Sequence, residues 1–122
     1  MIVGIGTDII EIDRVIKACE KELFLQKYFT EDEISIIRID KKKSADNFAV
    51  KEAVVKMFGT GFRKISPAEI EVLRDKLGKP YVTLYGEAAE YAKKMDVQKV
   101  HVSISNTKKY ATAFVVGESV EM

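Results

Sequence analysis

The segment of residues 45–58 constrains the fold of this 122-residue chain most, because a helix of its composition must be buried. Hydrophobic side chains fall on nearly every side of the predicted helix: Phe48, Ala49, Val50, Ala53, Val54, Val55, Met57 and Phe58. Gly59-Thr60-Gly61 follows directly and predicts the end of the helix. A chain of this length with 47% hydrophobic residues suits one core. We therefore predict a single domain over residues 1–122.

Three charged side chains, Lys51, Glu52 and Lys56, interrupt the apolar surface of this helix. A buried charge costs free energy unless it meets an opposite charge, a metal or a ligand. Glu52 and Lys56 are four residues apart, so one explanation is a helical ion pair worth about 0.3–0.5 kcal/mol. This stabilisation is smaller than the free-energy cost of burying the charges, which favours the other explanation, a liganded site.

Asp8 is a second candidate carboxylate. It follows the strand predicted over residues 2–5, within Gly4-Ile5-Gly6-Thr7-Asp8, where the glycines permit close backbone approach. Two carboxylates beside lysines are typical of a Mg²⁺ site that also uses substrate phosphate oxygens and water. Taken alone, an aspartate after a strand is more often a turn cap. His101 has no second His or Cys to support a metal site, and Ser105 has no His partner that would make it a nucleophile.

The remaining patterns predict an α+β fold with an antiparallel sheet and packed helices. Asp13 is a candidate cap for a helix reaching residue 28, and Thr30 with Glu33 forms a capping box for the helix Glu31–Ile39. The later segments alternate as strands or repeat as a helix. They comprise a hairpin around residues 75–80, a helix over residues 86–95 and strands over residues 100–105 and 110–116.

Charge and cysteine usage limit the partners. The formal net charge is +1, so the chain is not a general polyanion binder. Residues 38–64 hold eight basic and three acidic side chains, which indicates either a compact-anion site or a solvated lysine face. An RNA- or nucleotide-binding module is the alternative, with Lys41-Lys42-Lys43 as its support and no aromatic stacking motif, so we predict no nucleic-acid partner. The lone Cys19, the lack of a signal-peptide pattern and the lack of a long apolar run predict a soluble cytoplasmic protein without a membrane partner.

Four motifs resemble the holo-acyl-carrier-protein synthases, the small class of 4′-phosphopantetheinyl transferase. They span nearly the whole chain and are GIGTDIIEIDR from Gly4, FAVKEAVVKMFGTG from Phe48, LGKPYVTL from Leu77 and HVSISNTKKYATAFVV from His101. The K-E-A-x-x-K helix ending in G-T-G is highly specific in combination with G-K-P and S-I-S-x-T.

The resemblance implies transfer of 4′-phosphopantetheine from coenzyme A to a serine of apo-acyl carrier protein in fatty acid biosynthesis, with release of adenosine 3′,5′-bisphosphate. It implies that Asp8 and Glu52 hold Mg²⁺ and that Lys56 lies near the pyrophosphate as a third catalytic residue. The carrier serine is the nucleophile, and its proton would leave through a metal-ordered water or a carboxylate. The resemblance also implies a homotrimer with active sites between subunits. The implied substrate-binding residues are Lys51, Gly59, Thr60, Gly61, Lys79, Pro80, Ser105, Asn106 and Thr107.

Two positions depart from the family pattern. The family commonly has Arg before F-A-x-K-E-A and His after S-I-S, whereas this chain has Asn47 and Asn106. Asparagine brings no charge. We therefore predict that this protein prefers ligands with the 3′-phosphate of coenzyme A less strongly than relatives carrying both cations do, unless lysines 41 to 43 compensate.

The acyl carrier protein is expected to be acidic. Arg14, Lys17 and Lys21 lie three to four residues apart and would form one basic stripe on the first predicted helix. We predict that this stripe binds the carrier, although a solvated face is the alternative for Lys17 and Lys21.

Overall fold

A computed structural model describes residues 1–120 of the protein. The elements alternate between a long first strand, a group of helices and a second group of strands, which confirms the predicted α+β fold. In chain order they are β1 (Ile2–Glu11), α1 (Ile12–Ala18), α2 (Glu22–Tyr28), α3 (Glu31–Ile39), α4 (Lys42–Phe58), a 3₁₀ turn (Pro67–Glu69), β2 (Ile70–Arg74), β3 (Pro80–Leu84), α5 (Gly86–Lys94), β4 (Lys99–Asn106) and β5 (Tyr110–Glu118).

Two antiparallel sheets frame the long helix. The larger has three strands in the order β1-β5-β4, and β2 pairs with β3 in a hairpin. Helix α4 packs on one face of the larger sheet, and the main core lies between them around Ala53, Val54 and Val115, all fully buried. The prediction that this helix is buried is confirmed. It ends where the sequence predicts, at Gly59, whose φ of 78° favours glycine.

Strand β1 approaches α4 unusually closely because two glycines face the helix. A Cβ added at Gly6 would lie 1.9 Å from the carbonyl oxygen of Ala53, and one at Gly4 would lie 2.6 Å from that of Met57. No larger residue fits at either position without backbone movement. These contacts fix how near β1 can bring its next inward-facing side chain, Asp8, to the helix.

The predicted end of the first strand is wrong. Residues 2–5 are only its first part, and β1 continues through Asp8 to Glu11, because β5 pairs along its whole length. Asp8 is opposite Ala113 within the ladder and is not a turn cap. The glycines before it permit a close backbone approach, as the sequence predicts, and the element they approach is α4.

The single helix predicted over residues 13–28 is also wrong. The chain forms two helices, interrupted at residues 19–21, and Glu11 precedes the first turn that contains Asp13. The reason is packing: Val15 of α1 joins a cluster with Ala45 and Ala111, whereas Leu25 of α2 joins a separate cluster with Ile37. One straight helix would not bury both faces.

The other predicted elements are confirmed. Thr30 and Glu33 form the capping box of α3, in which each side chain bonds the other residue's backbone N–H. The hairpin, the helix α5 and the strands β4 and β5 lie where the patterns place them, with β5 extending two residues further than predicted. No helix of residues 1–120 combines the length and apolar character needed to span a membrane.

Candidate active site

Asp8, Glu52 and Lys56 are brought together where β1 crosses α4. Lys56 Nζ donates hydrogen bonds to Asp8 Oδ1 at 2.9 Å and to the carbonyl oxygen of Thr7 at 3.1 Å. The Asp8 side chain is only 14% exposed, whereas that of Lys56 is 53% exposed. The Glu52–Lys56 ion pair left open by the sequence is not formed within residues 1–120, because the lysine bonds across the interface to the strand.

The Asp8 carboxylate is close enough to Glu52 to affect the ionisation of Glu52. Burial raises the pKa of Glu52, the negative charge of Asp8 raises it further, and the Lys56 ammonium opposes both. Two acids that repel each other in a half-buried position favour a shared cation.

The donor set fits Mg²⁺. This ion binds oxygen ligands, commonly one or two protein carboxylates, and keeps sites for water and substrate phosphates. Asp8 and Glu52 supply two carboxylates, and the hydrogen bond from Lys56 uses only one oxygen of Asp8. No cluster of three or more His, Cys, Asp or Glu side chains suited to a metal occurs in residues 1–120.

Lys51 does not lie in this cluster, which corrects its predicted role in substrate binding. Its side chain is 1% exposed, and Nζ donates to Glu33 Oε1 at 2.8 Å, to the carbonyl oxygen of Pro67 at 2.9 Å and to that of Ile70. An ammonium has three N–H donors, and all three are used. Burial lowers the pKa of Lys51, and the Glu33 carboxylate opposes this shift. Lys51 is therefore part of the buried framework beneath β2.

Asn47 and Asn106, the two departures from the family pattern, both bond to charged neighbours. Asn47 is fully buried, and its amide donates to Glu33 Oε2 at 2.9 Å and to the carbonyl oxygen of Val72 at 3.1 Å. Its Oδ1 accepts a hydrogen bond of 2.6 Å from Arg74 Nη1. Asn106 donates to Asp46 Oδ1 at 2.9 Å. Asn47 thus has no free donor for a ligand, whereas the exposed Asn106 retains access to solvent.

The other predicted substrate-binding residues surround α4 at different places. Gly59 and Thr60 line a depression of about 370 Å³ beyond the end of α4, with Gly61 next in the chain. Lys79 directly precedes β3, and Pro80 begins this strand opposite Arg74. Thr107 accepts backbone hydrogen bonds from Lys109 and Tyr110 in the β4–β5 turn.

Two groups of these residues, here called half-sites, lie on different sides of α4. Glu52 and Asn47 are five residues apart on α4, which places them about 140° apart around its axis. Asp8 lies on the Glu52 side, whereas Lys79 and Pro80 join the Asn47 side through Arg74. Ser105 lies on the sheet face away from α4, because Ile104 packs in the core beneath the helix.

The predicted carrier-binding residues do not form one helical stripe. Arg14 and Lys17 are exposed on α1, but Lys21 lies beyond its end and precedes α2. Arg14 lines an open, largely apolar depression of about 440 Å³ together with Ile9, Phe24 and Phe48. Ile9 follows Asp8 in the chain, and Phe48 lies one turn of α4 before Glu52. An exposed cation at the rim of an apolar depression suits an amphipathic, acidic protein surface.

The sequence missed Glu33 and Arg74 as residues that organise the site. Glu33 gave a signal only as a capping-box residue, and Arg74 gave none, because its partners come from α4, 27 residues away along the chain.

Residues 4–115 match the model of the 4′-phosphopantetheinyl transferase superfamily. The chain belongs to this superfamily. Within it, the chain is 64% identical over 118 residues to a holo-[acyl-carrier-protein] synthase of Lachnoclostridium phytofermentans, with 97% of each chain covered. This confirms the resemblance to the holo-acyl-carrier-protein synthases.

Solved structures of this family share the fold. The Plasmodium yoelii acyl carrier protein synthase with ADP bound has a TM-score of 0.87 at 32% identity, and the match covers 99% of this chain and 98% of that one. The holo-(acyl-carrier-protein) synthase of Bacillus anthracis in complex with CoA (3′,5′-ADP) has a TM-score of 0.80 at 36% identity, covering 98% and 99%. The phosphopantetheinyl transferase fold thus extends over nearly the whole of this chain.

Proposed function

We propose that this protein is a holo-acyl-carrier-protein synthase, which transfers the 4′-phosphopantetheine group of coenzyme A to a serine of apo-acyl carrier protein in fatty acid biosynthesis. One observation carries the proposal: Asp8, Glu52 and Lys56 converge at one point in a chain that belongs to this family. The serine oxygen forms a bond to the phosphorus that bears pantetheine, and the pyrophosphate P–O bond breaks. Adenosine 3′,5′-bisphosphate leaves, and the serine proton passes to a carboxylate or an ordered water.

The residues of the cluster have complementary tasks. Asp8 and Glu52 would hold Mg²⁺, which when bound supplies positive charge that neutralises the pyrophosphate. The exposed Lys56 ammonium binds the oxygens of the leaving group, whose negative charge grows as the bond breaks. Its hydrogen bond to Asp8 holds it in place before substrate arrives. The chain needs no nucleophile of its own, because the carrier supplies the serine.

Carrier binding is assigned to Arg14, Lys17 and Lys21 on the surface around α1. All three are exposed, and Arg14 adjoins the apolar depression beside Asp8. An acidic carrier would be attracted by these cations at long range, and its apolar residues would occupy the depression.

The proposal includes a homotrimer with active sites between subunits. Support comes from the two half-sites, which one chain holds apart on different sides of α4. A neighbouring copy would bring its Lys79, Pro80, Ser105, Asn106 and Thr107 to the Asp8–Glu52 cluster, with Gly59, Thr60 and Gly61 permitting close approach of coenzyme A. The sheet face away from α4 is the surface available for contact between copies, since it exposes Ile5 (59%), Ile9 (63%) and Phe114 (47%).

The proposed cytoplasmic location rests on the one free cysteine, Cys19.

The decisive experiment is to incubate the protein with coenzyme A, MgCl₂ and an apo-acyl carrier protein and to weigh the carrier by mass spectrometry. We expect the carrier to gain the mass of one phosphopantetheine group, and no gain when its serine is replaced by alanine. An RNA- or nucleotide-binding module would leave the carrier unchanged. Sedimentation of the same sample tests the trimer.

A further inference from the structure

Arg74 has unused hydrogen-bonding capacity at an otherwise well-satisfied position. Its Nη1 donates to Asn47 Oδ1 at 2.6 Å and weakly to the carbonyl oxygen of Val72 at 3.4 Å. Its Nη2 is buried and has no hydrogen-bond partner, and it is the one buried side-chain nitrogen or oxygen in this state within residues 1–120. A buried polar group without a partner costs about 1–3 kcal/mol.

The guanidinium is also not neutralised by a close carboxylate. Within residues 1–120 no Asp or Glu oxygen lies within 4.0 Å of it, although Asp46, Glu33 and Asp40 are near enough to oppose the lowering of its pKa by burial. An arginine remains charged in such surroundings. The charge is therefore present, and one side of its fork is unused.

Arg74 lines an open depression of about 470 Å³ that suits a phosphorylated aromatic ligand. Lys43 supplies a second cation there, Tyr81 supplies a ring that is 44% exposed, and Asp32 is the acid of the lining. Lys41 lies outside this depression and lines a different one, with Cys19 and Arg38. Of the lysine run 41 to 43, the residue that lines the Arg74 depression is Lys43.

Asn47 gives Arg74 its position. The Asn47 amide nitrogen donates two hydrogen bonds to buried acceptors, and these bonds fix the orientation of the side chain. Its Oδ1 therefore has a fixed position, where it accepts a hydrogen bond from Nη1 of Arg74. Nη2 makes no hydrogen bond that a ligand in the adjoining depression would have to displace. A guanidinium fork matches two phosphate oxygens.

We propose that Arg74 binds the 3′-phosphate of coenzyme A, with Lys43 as a second cation and Asn47 as the positioning residue. The inference rests on the proposed function and deepens it. Asn47 is uncharged, but Arg74 of the adjacent strand supplies a positive charge to the half-site that contains Asn47, Lys79 and Pro80. The expectation from the sequence, that preference for the 3′-phosphate is weak, is replaced by a strong preference.

The test uses the full-length protein in two arms. Calorimetry measures the affinities for adenosine 3′,5′-bisphosphate and for 5′-AMP, and steady-state kinetics measures kcat and KM for coenzyme A and 3′-dephospho-coenzyme A. The variants are Arg74→Gln, Arg74→Lys and, as a charge-matched control, Arg38→Gln, which removes a surface cation paired with Glu22.

In the wild type and in Arg38→Gln we expect a preference of tenfold or more for the ligands with a 3′-phosphate. Arg74→Gln should bring this preference close to one, raising the KM for coenzyme A but leaving kcat and 5′-AMP affinity within about twofold. Arg74→Lys should lose several-fold, because lysine lacks the fork. If Arg74 had a merely structural role, its substitution would weaken the binding of adenosine 3′,5′-bisphosphate and of 5′-AMP equally. An unchanged preference in either Arg74 variant, or no preference in the wild type, overturns the inference. A wild type that transfers nothing to the carrier overturns the proposed function instead, and the calorimetric arm still decides the role of Arg74.

Discussion

Lys56 of α4 donates a hydrogen bond to Asp8 of β1, 48 positions earlier in the chain, rather than to Glu52 one turn away on its own helix. This cross-element bond keeps an ammonium beside two carboxylates. Because the lysine is half-exposed, its pairing with Asp8 contributes little to stability, about 0–1 kcal/mol. The proposed reaction explains the position of Lys56 better than a contribution to stability does.

The first prediction follows for Lys56. Lys56→Met should lower kcat at least tenfold, because the growing charge on the leaving group loses its cation, while the unfolding free energy changes by less than about 1 kcal/mol. Steady-state transfer kinetics and urea unfolding measure the two effects. Lys27→Met, at an exposed position of α2, is the matched control with normal kcat. Equal rates in wild type and Lys56→Met would contradict a catalytic role.

The second prediction concerns the metal ligands. Asp8→Ala and Glu52→Ala should each reduce transfer by on the order of 10² or more, because each removes a ligand but no large apolar group. Removal of Mg²⁺ with EDTA should have the same effect on the wild type, and Mg²⁺ should restore only the wild type. Asp13→Ala, an exposed acid on α1, is the control. Near-normal magnesium-dependent activity in either ligand variant would show that its assignment is wrong.

The third prediction addresses the buried pair. Lys51→Met should destabilise the protein by about 3–5 kcal/mol, because it leaves the Glu33 carboxylate buried without its cation. Adding Glu33→Gln in the same chain should recover part of this loss, since the remaining amide carries no charge. Urea unfolding of the two single variants and the double variant measures the coupling. If Lys51→Met instead folds normally but fails to bind coenzyme A, Lys51 is a substrate residue after all.

The fourth prediction concerns the carrier. Arg14→Glu should slow association with the acidic carrier most at low salt and leave the KM for coenzyme A unchanged, because an exposed charge acts mainly through long-range attraction. Stopped-flow association at several salt concentrations measures this. Lys27→Glu on α2 makes the same charge change elsewhere and should have a smaller effect. A parallel loss of coenzyme A affinity would place Arg14 in the nucleotide site.

The fifth prediction tests the contact between β1 and α4. Gly6→Ala should destabilise strongly, by about 3 kcal/mol or more, because the new methyl group would meet the backbone of Ala53. Gly78→Ala is a useful comparison: its φ of 87° is strained for alanine, but no atom lies within 4 Å of the added carbon, so we expect about 1–2 kcal/mol. Thermal unfolding of both variants ranks the two costs. A tolerant Gly6 would mean that the strand can move away from the helix.

Local signals in the sequence account for much of the fold. The capping box of α3, the glycine end of α4 and the alternation of β4 each depend on neighbouring residues, so their elements could be predicted. The length of β1 and the break between α1 and α2 depend on partners far along the chain, namely β5 and two separate apolar clusters. No local pattern reports such partners.

The candidate site divides in the same way. Asp8 and Glu52 became candidates because charges among apolar residues are conspicuous, and the two side chains lie near each other in the structure. The same reasoning included Lys51 wrongly, because sequence cannot show whether a buried cation faces a ligand or a protein carboxylate such as Glu33. Arg74 was missed because an arginine at the end of a hairpin strand is ordinary until its contact with Asn47 is seen.

The glycine contact between β1 and α4 has a consequence for how this enzyme tolerates change. The two backbones are in contact there without intervening side chains, so the distance between the strand and the helix is set by backbone atoms rather than by adjustable side-chain packing. We therefore expect volume changes elsewhere in the core to leave the spacing of Asp8 and Glu52 largely unchanged. In evolutionary terms, the two glycines are then the positions at which the carboxylate geometry is most sensitive to substitution.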